Sequence, residues 1–136
     1  MTRARWLALL TLGFGVSVVI MDATIINVAL PVVLEELDLT AADAQWLNAS
    51  YALVFGALLL TVGRIGDLHG RRKVFGIGMV VFMLASVVAG FAVSGPMLIG
   101  ARFAQGLGAA MIVPTTLSTL NAIFVGRQRA IAFAVW

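Results

Sequence analysis

Four polar side chains stand where an apolar chain has little reason to keep them: Asp22, Asn27, Arg102 and Gln105. Asp22 and Asn27 interrupt an apolar run from Trp6 to Leu30, and Arg102 and Gln105 interrupt another from Met97 to Ile123. A carboxyl group in such a run can take up and release a proton, whereas arginine stays charged in proteins. Asp22 is therefore the candidate proton carrier and Arg102 its fixed counter-charge, with desolvation set against the nearby guanidinium. Gln105 follows Arg102 at the spacing that puts both on one helix face. Asn27 does not share the Asp22 face, and fits either a second site group or a helix–helix hydrogen bond. A charge at the centre of a bilayer costs at least about 2.5–3.5 kcal/mol, so neither ion faces lipid. The chemistry is then a proton or substrate site in a wet cavity, or else a static ion pair that fixes packing.

Other chemistry is poorly served. With no cysteine and one histidine, His69, the chain lacks thiolate and His-cluster ligands, so no metal is expected. Gly106-Leu107-Gly108 follows no strand and sits inside an apolar run, which does not suit a nucleotide loop. Nothing assembles a nucleophile, a base and an oxyanion site, so neither an enzyme nor a cofactor is expected.

The elements that must position these groups follow from composition. The 136 residues are 62% hydrophobic and 11% charged, with mean hydropathy +1.08. Soluble domains are about 25% charged, so this is the composition of an all-α membrane protein. A pI near 10.7 would suggest nucleic acid in a soluble protein. Here the basic residues flank apolar spans, which points to a lipid bilayer and to no nucleic acid.

Four transmembrane helices plus the start of a fifth are expected, at about 6–30, 45–62, 74–93, 97–123 and 130–136, the last incomplete. The first run exceeds the apolar core of a signal peptide and reads as a retained span. Pro31 marks its expected end. Thr40 or Asp43 caps the second helix, and Trp46 and Tyr51 suit its interfacial end. Between the second and third spans lies a dense charged turn, Gly63 to Lys73, and Ser94-Gly95-Pro96 makes the tight turn that follows. Gly126-Arg127-Gln128-Arg129 forms another basic turn.

Arg3, Arg5, Arg64, Arg71, Arg72, Lys73, Arg127 and Arg129 all fall on one side of these spans. The positive-inside rule makes that side, with the amino terminus, cytoplasmic in a multi-pass cell membrane protein. Asp22 then lies about 16 residues, roughly 24 Å, along the first helix, and Arg102 about six residues, roughly 9 Å, into the fourth from the outside. Their depths match, so they pair if helices one and four touch. Ala101, Ala104 and Gly108 form a stripe of small residues that suits close helix approach.

With these residues in view, the chain resembles the amino-terminal part of a major facilitator superfamily transporter. Gly63-x-Ile65-Gly66-Asp67-x-x-Gly70-Arg71-Arg72 is similar to that superfamily's signature between helices two and three. Leu68 stands where the family is usually basic, which weakens a charge relay at that position. Arg102-Phe103-Ala104-Gln105-Gly106-x-Gly108-Ala109-Ala110 resembles the fourth-helix motif associated with proton coupling. Met21-Asp22-Ala23-Thr24-Ile25-Ile26-Asn27-Val28-Ala29-Leu30-Pro31 resembles the first-helix motif of the fourteen-span drug:proton antiporter branch.

The resemblance implies part of an N-terminal six-helix bundle, and proton-driven export of drugs, antibiotics or similar amphipathic small molecules by alternating access. By position, Asp22, Arg102, Asn27 and Gln105 belong to the substrate or proton-coupling site, and Gly63, Asp67, Gly70, Arg71 and Arg72 to a cytoplasmic gate. The family builds its site between two six-helix halves, so a chain with an unfinished fifth helix is expected to be a fragment. The Gly-Pro motif that the antiporter branch would carry on that fifth helix is not within these residues. A nutrient uniporter or symporter of the same superfamily, and a small membrane interaction protein, are the alternatives.

Overall fold

Caps and single-residue breaks divide the apolar sequence into five helices. In the computed structural model, which describes residues 3–136, these are α1 (Arg3–Glu36), α2 (Ala41–His69), α3 (Arg71–Gly90), α4 (Gly95–Ile123) and α5 (Arg127–Val135). No strand occurs among the described residues. The first four are long and apolar enough to cross a membrane.

The helix ends differ from the expected ones for local reasons. Pro31 lies inside α1 rather than at its end; membrane helices tolerate an interior proline where neighbouring groups and local adjustment re-satisfy the freed backbone carbonyl. The stop comes at Asp38, whose φ of 50° is left-handed. The Leu39 amide donates to the Leu34 carbonyl at 2.9 Å and the Asp38 amide to Glu35 at 3.4 Å, a Schellman closure. Thr40 then caps α2: its Oγ1 accepts from the Asp43 amide at 3.3 Å, and Asp43 Oδ2 accepts from the Thr40 amide at 2.9 Å. The two candidate caps form one reciprocal box.

The charged stretch Gly63–Lys73 is also not a loop. α2 continues through it to His69, and only Gly70, at φ 104°, breaks the path before α3 begins. α1, with 34 residues, is about 51 Å long against a hydrocarbon core of about 30 Å. Helices this long project into the headgroups and beyond, where charged side chains are solvated without any need to leave the helix.

α4 is the helix on which the others assemble; α2 and α3 pack along it, while α1 and α5 touch it more sparingly. Half of its apolar span is buried, against 11% for α1. Lipid tails give helices no hydrophobic reason to associate, so contact depends on close packing. Gly108 and Gly78 face each other across α3 and α4, and a methyl at Gly108 would lie 2.8 Å from the Phe82 backbone nitrogen. On the other flank, a methyl at Gly106 would lie 2.7 Å from the Tyr51 carbonyl of α2. α1 contributes Leu9, Leu12, Val16 and Val19 to the core, a stripe whose next helical step is Asp22.

These contacts separate two glycines of one helix. Gly108→Ala is expected to lower stability by roughly 1–3 kcal/mol through overpacking against backbone. Gly100→Ala, with nothing within 4 Å, should be neutral or stabilise by up to about 1 kcal/mol. Unfolding of both variants in mixed micelles measures the difference.

Candidate functional site

The stripe on α1 and the buried face of α4 bring Asp22, Arg102 and Gln105 together. Arg102 Nη1 donates to Asp22 Oδ2 at 2.6 Å and to Gln105 Oε1 at 2.8 Å. Gln105 Nε2 closes the triangle, donating to Asp22 Oδ1 at 2.9 Å. Each carboxylate oxygen thus receives one donor. The arginine side chain is 3% exposed and the aspartate 18%, so the carboxylate is the wetter partner. A buried guanidinium is tolerable only when paired and hydrogen-bonded.

Three residues outside the sequence-derived set complete the arrangement. Arg102 Nε donates to the Leu47 carbonyl at 3.4 Å, and the guanidinium carbon lies 4.4 Å from the centre of the Tyr51 ring. Tyr51 therefore makes a cation–π contact instead of standing in an interfacial belt; Trp46 remains exposed. Gln105 Nε2 also donates to Ser86 Oγ at 3.0 Å, and that hydroxyl donates to the Phe82 carbonyl at 2.8 Å. Ser86 is the lone polar side chain of α3 between Lys73 and Gly90. Polar residues in membrane helices act as interhelical glue, so this was the one available sequence signal for it.

Asn27 does not join the triangle. Its Nδ2 donates to the Ala23 carbonyl one turn back at 2.8 Å, and the residue is exposed. It lines an open, mostly apolar groove of about 630 Å³ between α1 and α2, together with Thr24, Tyr51 and Phe55. Tyr51 thus stands between this groove and the ion pair.

The second group of predicted residues lies at the other end of α2. Arg71 Nε donates to Asp67 Oδ1 at 2.8 Å across the Gly70 break, and Nη1 donates to the Ser118 carbonyl of α4 at 2.9 Å. Ser118 Oγ donates to Asp67 at 3.3 Å. One guanidinium so ties the ends of α2 and α3 to α4. Gly63 packs against Pro114, where a methyl would lie 3.3 Å from the proline Cβ. Arg72 is exposed and stands apart from the cluster.

Removing one member of the buried pair should cost more than removing both. Asp22→Leu strands the arginine and is expected to destabilise the chain by about 3–5 kcal/mol. Adding Arg102→Met should recover much of that loss. A double-mutant cycle on unfolding in micelles should return a coupling at least as large as the single Asp22→Leu loss, about 3–5 kcal/mol.

Comparison with known proteins bears on the whole chain. Residues 12–136 match the Major Facilitator Superfamily. The chain is 39% identical over 136 residues to the multidrug efflux pump LfrA of Mycolicibacterium smegmatis, covering 99% of this chain and 27% of that protein. It is 38% identical over 133 residues to the puromycin resistance protein pur8 of Streptomyces alboniger, covering 97% and 26%. With the cephamycin export protein CmcT of Amycolatopsis lactamdurans it shares 42% over 118 residues, covering 86% and 24%. The chain spans about a quarter of the length of the curated relatives it matches. Three membrane-length helices packed on a fourth, α4, and a match along nearly the entire sequence make this multi-pass membrane chain a member of the major facilitator superfamily.

Proposed function

We propose that this chain forms part of the N-terminal six-helix half of a proton-coupled exporter of drugs, antibiotics or similar amphipathic compounds. The observation that carries the reading is the Asp22–Arg102–Gln105 triangle. It is a carboxylate held by two donors on a neighbouring helix, at a depth where an unneeded charge would be costly. The names of the relatives, a multidrug efflux pump and resistance and export proteins for two antibiotics, support the substrate class.

The chemistry follows from which group can change its charge. Arg102 keeps its proton. Both oxygens of Asp22 accept hydrogen bonds, and a proton arriving on either removes the negative charge that faces Arg102, which weakens the tie between α1 and α4. α1 is otherwise lightly packed, so it is the element such a change would free. Asp22 acts as the proton carrier, Arg102 and Gln105 as its receptor, and Asn27 lines the adjoining groove as a substrate contact. Gly63, Asp67, Gly70 and Arg71 form the cytoplasmic gate, where the Arg71–Ser118 bond keeps the helix ends together and Arg72 stands exposed beside it.

In everted vesicles carrying the product of the complete reading frame, an imposed pH gradient is expected to drive accumulation of a lipophilic cationic dye. Asp22→Asn should reduce that accumulation to background while the protein still inserts. Undiminished gradient-driven transport by Asp22→Asn would make the triangle a packing device and remove the proton role.

Orientation is separately testable, because the chain has no cysteine of its own. A cysteine placed at Arg72 should react with an impermeant maleimide only from the cytoplasmic face of the cell membrane. One placed at Val93, in the exposed connection between α3 and α4, should react only from outside. The reverse pattern overturns the assignment.

A further inference from the structure

Asp22 is the only group that α1 brings to the triangle; every other contact that fixes Arg102 and Gln105 comes from α2, α3 or α4. The Leu47 carbonyl and the Tyr51 ring, both on α2, hold the guanidinium from one side. Arg102 Nη1 donates to Gln105 Oε1 within α4, which turns the amide so that Nε2 faces the carboxylate. Ser86 on α3 accepts from that same nitrogen. Its own hydrogen is committed to the Phe82 carbonyl, so a lone pair is what it presents to the amide. One Nε2 hydrogen is thereby directed to Ser86, and the other is left for Asp22.

The result is a pair of convergent donors, each matched to one oxygen of a planar carboxylate, on side chains that are 3% and 2% exposed. α2, α3 and α4 pack closely through the Gly108–Gly78 and Gly106–Tyr51 approaches. α1 is the least buried of the four long helices. The donors consequently sit on the tightly packed part of the molecule, and the acceptor on the loosely packed part.

We propose that Tyr51 and Ser86 are positioning residues that hold Arg102 and Gln105 as a ready-made carboxylate receptor on α2, α3 and α4. Asp22 docks into this receptor, and a free small carboxylate takes its place when the Asp22 side chain is removed. The inference rests on the reading of Asp22 as a proton carrier for its functional meaning, and adds that the receptor persists while the carboxylate leaves and returns. A preorganised site of this kind lowers the ordering cost each time the carboxylate docks.

The test uses the Asp22→Ala chain in lipid nanodiscs, with ¹⁵N-labelled glutamine side chains, titrated with sodium formate against sodium chloride at equal ionic strength. Formate is expected to shift the Gln105 amide resonances saturably, with a dissociation constant of about 1 mM, and chloride is not. Adding Tyr51→Leu or Ser86→Ala should weaken formate binding roughly tenfold, equivalent to about 1.4 kcal/mol. Tyr51→Phe, which keeps the ring, and Ser86→Thr, which keeps the hydroxyl, should leave it within about twofold. No saturable formate response, an equal response to chloride, or indifference to Tyr51→Leu and Ser86→Ala overturns the proposal.

Should Asp22→Ala fail to fold, the parent chain carries a second measurement. Its Gln105 side-chain amide protons should be protected from exchange with deuterium, and the protection should fall at least about tenfold in Ser86→Ala and Tyr51→Leu but not in Ser86→Thr or Tyr51→Phe. Unprotected Gln105 amide protons in the parent, or unchanged protection in the disruptive variants, overturns the positioning roles. Formate binding together with pH-driven transport that is indifferent to Asp22→Asn would keep the receptor and discard the proton carrier. The opposite pair of results would do the reverse.

Discussion

A guanidinium buried between apolar helices sets the terms for the rest of this structure. Arg102 cannot shed its charge, and in a medium that solvates ions poorly it must be surrounded by partners or leave the interior. The chain surrounds it: a carboxylate from α1, a carbonyl and a ring from α2, and an amide on its own helix that is steadied by a hydroxyl from α3. Satisfying one charge thus recruits all four long helices. The same requirement gives the site its direction, because the only partner able to change charge is also the one on the least buried helix.

Packing follows from the same solvent. Where lipid competes equally for apolar side chains, helices stay together only if their backbones come close enough for dispersion and hydrogen bonds to matter. α4 meets that condition on two flanks, with Gly108 against α3 and Gly106 against α2. Between those glycines and the carboxyl-terminal end of α4 lie Pro114 and three threonines, Thr115, Thr116 and Thr119, whose hydroxyls donate back to carbonyls of their own helix. The buried hydroxyls are satisfied locally and make no demand on a neighbour. Interhelical hydrogen bonding among the four long helices is thereby concentrated in two places, the Arg102 triangle and the Arg71–Ser118 tie.

Those two places are built differently. The triangle is buried and closed on itself, while the Asp67–Arg71 pair is 49% and 36% exposed. A pair that open is worth little as an ion pair. Its structural content lies in the bond from Arg71 to the Ser118 carbonyl, which fastens the α2–α3 corner to α4. Gly70 makes this possible: a one-residue break keeps Asp67 and Arg71 at nearly helical spacing, so both reach α4 together.

By itself the sequence determined the membrane class, the number of spans, the matching depth of Asp22 and Arg102, and the family. Each of these depends on quantities that are local or additive: run length, charge placement, helical spacing and short motifs. Depth alone matched Asp22 with Arg102, because both helices are pinned to the same bilayer. Only the tertiary structure decided where helices stop and who else attends the site. Pro31 looked like an end but was carried through, because the competing closure at Asp38 uses backbone bonds that no residue type announces. Gly63–Lys73 looked like a loop because its charges were read as leaving the helix, whereas the helix itself leaves the hydrocarbon. Tyr51 looked interfacial, and Ser86 drew no notice, since a ring or a hydroxyl in an apolar run acquires its role from what lies opposite. What lies opposite is set by the rotation of each helix about its axis, and that is fixed by packing against neighbours rather than by the bilayer.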